Sequence, residues 1–377
     1  MVAGGPQHAA PAAFVYRHEL AEAELRPGHP LKPVRARTCL ELLERRGVFA
    51  SGGVRVVSPG AATREDVLRV HDAGYVAMVE RLSGEGRVSG RDAAGYGFSE
   101  QGDNPPFSGM YDYYLLVCGA AIEAVRLVDE GEADCAFMPA GGVNHHAMPD
   151  RASGFGVFND AAVAIAWLRE RGRRVMYVDL DVHQGDGVEA MFEDDDRVLT
   201  VSLHESTRFL FPGPKGGFAE NTGAGNGTGY SVNVPLAPYT DDETWLWAFD
   251  QVVPPLYGAF KPDVLLVQLG ADGYHADPLA HLQLTARAYR SAAARLRELT
   301  GGRLAAVGGG GYDVEATPRI WAAELLELAG LPGAEEVAPS DLAPVLDSQP
   351  ASKIRRFAED SVATVQRLVF PVHGLRS

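Results

Sequence analysis

The sequence predicts an α/β fold, one domain built on a mostly parallel sheet with helices on both faces. Short apolar runs alternate with longer amphipathic stretches along the chain, the rhythm of strand–helix units. One run, residues 175–187, begins as a buried strand and ends in Asp179, Asp181, His183 and Asp186; open α/β sheets hold their ligands at the carboxyl ends of strands. No Pro/Ser-rich linker or composition break divides the 377 residues, which favours a single enlarged domain over the two that length alone suggests.

Phe14–Tyr16 reads as the first short strand. A polar loop over residues 18–33 ends in Gly28–Pro33 (GHPLKP) and leads into an amphipathic helix over 34–46, stopped by Gly47. Thr63 and Asp66 form a capping box that opens a helix, and a second short helix runs from Tyr75 to about Leu82. Residues 83–108 read as a long Gly/Pro-rich loop. Residues 111–129 form a long, mostly apolar helix, and Ala133–Met138 is a strand running into Gly141–His146 (GGVNHH). A helix over 161–171 precedes the strand that starts at Val175, and the turn Gly185–Gly187 starts another helix. Strands follow over 197–204 and 230–235, with a glycine-rich loop between them, then a helix over 241–257. Residues 263–272 (DVLLVQLGAD) repeat the earlier logic, a buried strand ending in an acid. A helix over 282–299, a strand over 304–307, Gly308–Tyr312 (GGGGY) and a helix over 313–329 complete the alternation. The tail reads as a loop, a helix near 352–368 and a loose end.

A net charge of −16 argues against a nucleic-acid surface and is compatible with attracting cationic ligands. Cys39, Cys118 and Cys135 have no paired spacing and read as reduced, partly buried thiols in a cytoplasmic protein. Residues 1–13 lack the basic and apolar regions of a signal peptide, and no apolar stretch is long enough to span a membrane. No partner membrane or nucleic acid is therefore expected, and nothing in the sequence specifies an oligomer.

The chemistry gathers at strand ends. On a continuous strand, residues 179, 181 and 183 would point to one face, and buried charge is costly unless paired or bound to metal. Asp181, His183 and Asp272 are the candidate metal ligands; three ligands with an open position suit catalytic zinc, and the oxygen-rich set also suits iron(II). A salt-bridge cluster is the plainer explanation, but few cations lie nearby in sequence. His145 and His146 supply acid–base candidates, with Asp179 and Asp186 as hydrogen-bond acceptors behind them. A histidine pair after two glycines is poorly explained as core, although one histidine there would suit a solvated loop. Tyr312, on its glycine loop, can donate to a developing oxyanion. Together these groups describe metal-assisted hydrolysis of an amide or ester.

Gly28–Pro33, His145-His146, Asp179–His183, Gly185–Gly187, Asp272 and Gly308–Tyr312, in this order, resemble the zinc-dependent histone deacetylase family, nearest its bacterial acetoin-utilisation and class I branches. The match runs from about Phe14 to about Ala329. It implies the arginase/deacetylase α/β fold, with a parallel sheet of about eight strands, a core over about 14–330 and a helical extension over 331–377. It implies that Asp181, His183 and Asp272 bind zinc, that His146 backed by Asp186 is general base and acid, that His145 paired with Asp179 acts electrostatically, and that Tyr312 polarises the acetyl carbonyl. A potassium ion would lie against Asp179, Ser202 and the carbonyls of Asp181, His183 and Leu203. Gly154, Phe155 and Phe211 would line an acyl-lysine tunnel, Asp103 would grip substrate backbone at its rim, and Arg35 would border a channel releasing acetate. The implied substrate is an acetylated protein or peptide, or a small acetylated amine such as an acetylpolyamine.

Three features depart from the family pattern. Gln184 replaces a second histidine, the Gly141–His146 loop carries one residue more than usual, and Ala276–Leu279 (ADPL) resembles other branches more than class I. A two-metal ureohydrolase on the same fold would want acids at Gly185 and Tyr274. An inactive acyl-lysine reader would have lost a ligand, a histidine or the tyrosine.

Overall fold

The computed structural model describes residues 12–87, 92–340, 342 and 351–376. Eight strands form one sheet: β1 (Ala12–Val15), β2 (Val54–Val57), β3 (Cys135–Met138), β4 (Val175–Asp179), β5 (Val198–Glu205), β6 (Ser231–Leu236), β7 (Val264–Gln268) and β8 (Leu304–Val307). Their order is β2-β1-β3-β8-β7-β4-β5-β6. Every pairing is parallel, so the sheet is wholly rather than mostly parallel. Strands β3 and β4 are neighbours in this set along the chain, yet β8 and β7 lie between them. The loops leaving β3, β8, β7 and β4 therefore open side by side at the middle of one edge, where a doubly wound sheet binds ligands.

The helices are α1 (Val34–Arg45), α2 (Arg64–Leu68), α3 (Ala73–Glu85), α4 (Asp92–Gly95), α5 (Met110–Asp129), α6 (Asp160–Glu170), α7 (Asp186–Phe192), α8 (Asp242–Phe260), α9 (Ala286–Thr300), α10 (Ala316–Ala329), α11 (Ala334–Val337) and α12 (Ala351–Leu368). Alternation along the strands sorts them into two layers. Val175 and Tyr177 join Ala136, Leu266 and Ala305 under α5 and α6. Met176 and Val178 join Phe137, Leu265 and Ala306 under α1, α8, α9 and α10. Both faces are thus buried, which explains why the strands read as continuous apolar runs. Side chains start the helices as the sequence suggests: Thr63 and Asp66 close the capping box of α2, Asn159 caps α6, Asp241 caps α8 and Thr285 caps α9.

Several local readings are corrected. Strand β2 is absent from the sequence reading, because it is an edge strand whose Arg55 and Val56 are exposed and whose pattern lacks the long apolar run. Strand β4 ends at Asp179, so Asp181 and His183 lie in the loop beyond it rather than on one strand face. Within the stretch taken as one loop over 83–108, α3 continues to Glu85 and α4 forms a helical turn; residues 88–91 lie outside the described residues. Helices α9 and α10 start later than expected, at Ala286 and Ala316, because Thr285 takes the capping role for α9 and the Asp313 carboxylate accepts the backbone N–H groups of Glu315 and Ala316 ahead of α10. The three cysteines are fully rather than partly buried. The tail is not loose through residue 376: Phe370 is buried, and the His373 ring donates to the Gly229 carbonyl at 2.8 Å. No described helix is long and apolar enough to cross a membrane.

Helix α5 approaches the 60–62 segment closely. A Cβ at Gly119 would stand 2.1 Å from the Gly60 carbonyl oxygen and 2.5 Å from the Ala62 nitrogen. Gly119→Ala, which in an exposed helix would stabilise, should here destabilise by ~1–3 kcal/mol through overpacking. Urea denaturation compared with wild type checks this; a neutral or stabilised variant would show that the contact relaxes freely.

Candidate active site

The four loops that open together from β3, β4, β7 and β8 supply the predicted groups. His145 and His146 sit on a short 3₁₀ turn after β3, Asp181 and His183 follow β4, Asp272 follows β7 and Tyr312 follows β8. The ligand atoms of Asp181, His183 and Asp272 all lie within 4.8 Å of one another, and all three residues are buried. His183 Nδ1 faces both carboxylates, at 3.1 Å from Asp181 Oδ1 and 3.0 Å from Asp272 Oδ2. Their outer oxygens are occupied. Asp181 Oδ2 accepts from Gln268 Nε2 at 2.6 Å and from the Gly310 N–H at 2.7 Å, while Asp272 Oδ1 accepts from the Val182 N–H at 2.9 Å. Glycine is required at 310, since a Cβ there would stand 1.9 Å from Asp272 Oδ2.

Burial and the Asp181 charge push the Asp272 carboxyl up to about 7, and burial of the His183 imidazole is outweighed by the two carboxylates, which raise it. The protein's own charges leave a dry excess of negative charge around one imidazole. Such a donor set, two buried carboxylates and a ring nitrogen converging on one another, fits a divalent cation.

The histidine pair lies beside it. His145 Nδ1 is 2.8 Å from Asp179 Oδ2, His146 Nδ1 is 2.7 Å from Asp186 Oδ1, and the two Nε2 atoms are 3.1 Å apart. With a carboxylate accepting at each Nδ1, the facing Nε2 atoms can hold one proton between them. The protein's own charges place it on His145: burial opposes protonation there, but Asp179 and Asp181 outweigh it and push the pKa up to about 9. Burial and the adjacent His145 charge push His146 down to about 4. Asp179 also accepts from the Tyr177 hydroxyl at 2.7 Å.

Aromatic rings stand beside Tyr312 and His146. Phe155 meets Tyr312 edge-on at 5.6 Å between centroids, and Phe211 meets His146 edge-on at 4.8 Å. The Gly154 backbone lies against the His146 ring. Asp103 is exposed; its carbonyl accepts from His29 Nε2 at 3.0 Å, and the His29 ring packs on Phe155 at 4.7 Å, which links the Asp103 loop to Phe155. Ser202 is the register partner of Asp179 across β4 and β5, with Leu203 next on β5. Arg35 is buried behind Tyr312, donates to the Gly309 and Gly311 carbonyls and lies 4.9 Å over the Trp321 ring. It lines a small interior cavity with Leu31, Tyr113 and Asn144. The candidate ligands, the histidine pair and the two carboxylates behind it thus meet in one place, while Asp103 stays exposed outside it.

Sequence reasoning missed the groups that hold this centre. Gln268 was legible as a polar residue ending an apolar strand. Asn144, the additional residue before the histidines, donates to Asp160 Oδ1 at 2.8 Å, and Asp160 Oδ2 accepts from the Gly142 N–H at 2.8 Å. Asn159 Nδ2 donates to the carbonyls of His145 and Ala147. His71 stands behind Asn159, with no local sequence signal. Its Nδ1–H donates to the Met148 carbonyl at 3.0 Å, and its Nε2 accepts the Asn159 N–H at 2.9 Å, which defines a neutral ring.

The fold and this centre define a hydrolase of the deacetylase class with a candidate metal site. The chain belongs to the histone deacetylase family and is a deacetylase: residues 29–328 match the histone deacetylase domain. It is 36% identical over 334 residues to the acetoin utilization protein AcuC of Bacillus subtilis, covering 87% of this chain and 84% of that one. A probable deacetylase of Archaeoglobus fulgidus is 36% identical over 307 residues, covering 80% of this chain and 81% of that protein. Among solved structures, an HDAC homologue complexed with SAHA superposes with a TM-score of 0.81 at 28% identity, covering 94% of this chain and 100% of that one. The HDA15 HD domain superposes with a TM-score of 0.82 at 25% identity, over 97% and 96% of the two chains.

Burial lowers the His71 pKa from 6.5 to about 4. The folded value lies below the unfolded one, so the ring is neutral in the fold. Its stability contribution is complete above about pH 6.5 and is lost as pH falls towards 4, on the order of 3 kcal/mol at the acid end. Denaturation series between pH 7 and 4 should show a smaller acid loss for His71→Gln than for wild type, even though that variant starts less stable. Parallel pH profiles would remove the buried neutral ring as the cause.

Proposed function

We propose that this deacetylase removes acetyl groups from lysine side chains of proteins or peptides, using one divalent metal ion, zinc, with iron(II) compatible with the same donors. The observation that carries this reading is the three-residue donor cluster facing the His145–His146 pair. Asp181, His183 and Asp272 would hold the ion. Bound there, a divalent cation supplies Lewis acidity toward an acyl carbonyl and a water molecule.

The chain's own groups do the rest. His146, neutral and fixed in its tautomer by Asp186, accepts a proton at Nε2 and returns it to the departing lysine amine. His145, held by Asp179, contributes positive charge beside the tetrahedral centre. Burial, then the Asp272 and Asp181 charges, raise the Tyr312 pKa well above its usual value, so its hydroxyl stays a donor to the developing oxyanion. Phe155 and Phe211 confine the acyl-lysine stem and exclude water, and Arg35 borders a route for acetate. A potassium ion at Asp179, Ser202 and the carbonyls of Asp181, His183 and Leu203 has one supporting feature: His204 Nε2–H donates to the Gly217 carbonyl, so Nδ1 accepts the Ser202 O–H and leaves the Ser202 oxygen lone pairs free.

Two metals, as a ureohydrolase needs, lack support: Gly185 and Tyr274 stand where further acids would be required, and the described residues hold one metal-type cluster. Metal analysis should give about one tightly held divalent ion per chain, lost with activity in Asp181→Ala. Two ions, both needed for turnover, would sink the assignment.

Asp103 separates peptide from small-amine substrates. If its carboxylate grips peptide N–H groups, Asp103→Ala should lower kcat/KM on acetyl-lysine peptides by ~1–3 kcal/mol. A small acetylated amine, such as an acetylpolyamine, should lose little. Equal losses on both would indicate a disordered loop instead, and higher wild-type efficiency on the polyamine would replace the protein substrate.

A further inference from the structure

Tyr312 ends a run of four glycines, which gives the loop no intrinsic preference for one conformation. Two groups secure the loop from its carbonyl and inner sides: Arg35 takes the Gly309 and Gly311 carbonyls, and Asp181 takes the Gly310 N–H. The N–H of Tyr312 itself goes elsewhere. It donates to Asp277 Oδ2 at 2.6 Å, while Asp277 Oδ1 accepts from the Leu279 N–H at 2.9 Å. The Asp277 N–H in turn donates to the Tyr274 carbonyl at 2.8 Å. Only 8% of Asp277 is exposed. One buried carboxylate thus ties the loop after β7, which bears Asp272, to the loop after β8, which bears Tyr312.

The choice of residue is informative. The bond to Leu279, two residues on, is an Asx turn that an asparagine would make equally well. It does not account for the second oxygen. The two N–H donors meet opposite oxygens of the carboxylate, and an amide would turn its NH₂ group toward one of them. The charge is kept at a cost, because burial pushes the Asp277 carboxyl up to about 6, with the nearby Asp181 charge acting the same way.

We propose that Asp277 is a positioning residue for the reaction: its carboxylate fixes the Tyr312 backbone and so holds the Tyr312 hydroxyl where the oxyanion forms. This rests on the oxyanion role given to Tyr312 above. Misplacing such a donor by about 1 Å can cost as much as ~10²-fold in rate, whereas substrate affinity in a tunnel walled by Phe155 and Phe211 is largely untouched.

The test is a double-mutant cycle on the metal-loaded enzyme with an acetyl-lysine peptide, using Asp277→Asn, Tyr312→Phe and the double variant. Asparagine keeps the size and one acceptor oxygen. Tyr312→Phe should lower kcat by ~10²–10³, and Asp277→Asn should lower kcat by ~10–10² with KM within about twofold of wild type. The double variant should be no slower than Tyr312→Phe by more than about threefold, because a clamp has nothing to position once the hydroxyl is gone. Losses that multiply, or a normal kcat in Asp277→Asn, overturn the clamp while leaving the oxyanion role standing. A near-normal Tyr312→Phe overturns both. Melting curves and metal content are measured on each variant, and if Asp277→Asn does not fold, Asp277→Ser takes its place in the cycle. Asp277→Glu, which restores both oxygens on a longer arm, should recover part of the lost kcat; no recovery beside an unchanged melt counts against the clamp.

Discussion

The structure depends on concentrating carboxylates in a dry place. Asp179, Asp181 and Asp272 are essentially inaccessible, and Asp186 is partly buried. Left unpartnered, such groups would cost several kcal/mol each or take up protons. Each instead faces a specific donor. An imidazole meets one oxygen of each, backbone N–H groups or the Gln268 amide meet others, and the Tyr177 hydroxyl shares Asp179 Oδ2 with His145. What the protein's own groups do not neutralise is the charge between Asp181 and Asp272, and there the donor set suits a cation.

That constraint explains the sheet order. Histidines, ligands and tyrosine come from loops far apart in the chain, and they meet because β3, β8, β7 and β4 are adjacent. Being wholly parallel, the sheet presents all four carboxyl ends at one edge, and its two apolar layers keep water from the strands beneath. Glycines recur where backbone must pass close to an acid, as at Gly310 against Asp272. Outside the centre, neutral polar groups hold the loops. His71 fixes Asn159, which holds the carbonyls flanking the histidines, and Asn144 joins the same turn to Asp160.

Under the proposed function, the surroundings of the site would receive an extended acylated side chain. Phe155 packs on Tyr312 and Phe211 on His146, and the Asp103 loop is steadied through His29. The acidic chain as a whole suits cationic partners, whether lysine-rich peptides or polyamines.

The sequence by itself determined the α/β class, the strand-end placement of chemistry and the identity of the ligands, histidines and tyrosine. Those residues are legible because their types are out of place: acids closing an apolar strand, paired histidines after glycines, a tyrosine after four glycines. The supporting residues are not legible in this way. Asn159 reads as a helix cap, His71 as an ordinary loop histidine and Asp277 as a turn acid, and each is that as well. Their other partners lie 12 to 88 residues away in sequence. Strand β2 was lost for a related reason, since an edge strand needs no continuous apolar run. Only the tertiary structure decided which donor meets which oxygen, because a hydrogen bond depends on distances of a few tenths of an ångström that residue type and spacing do not encode.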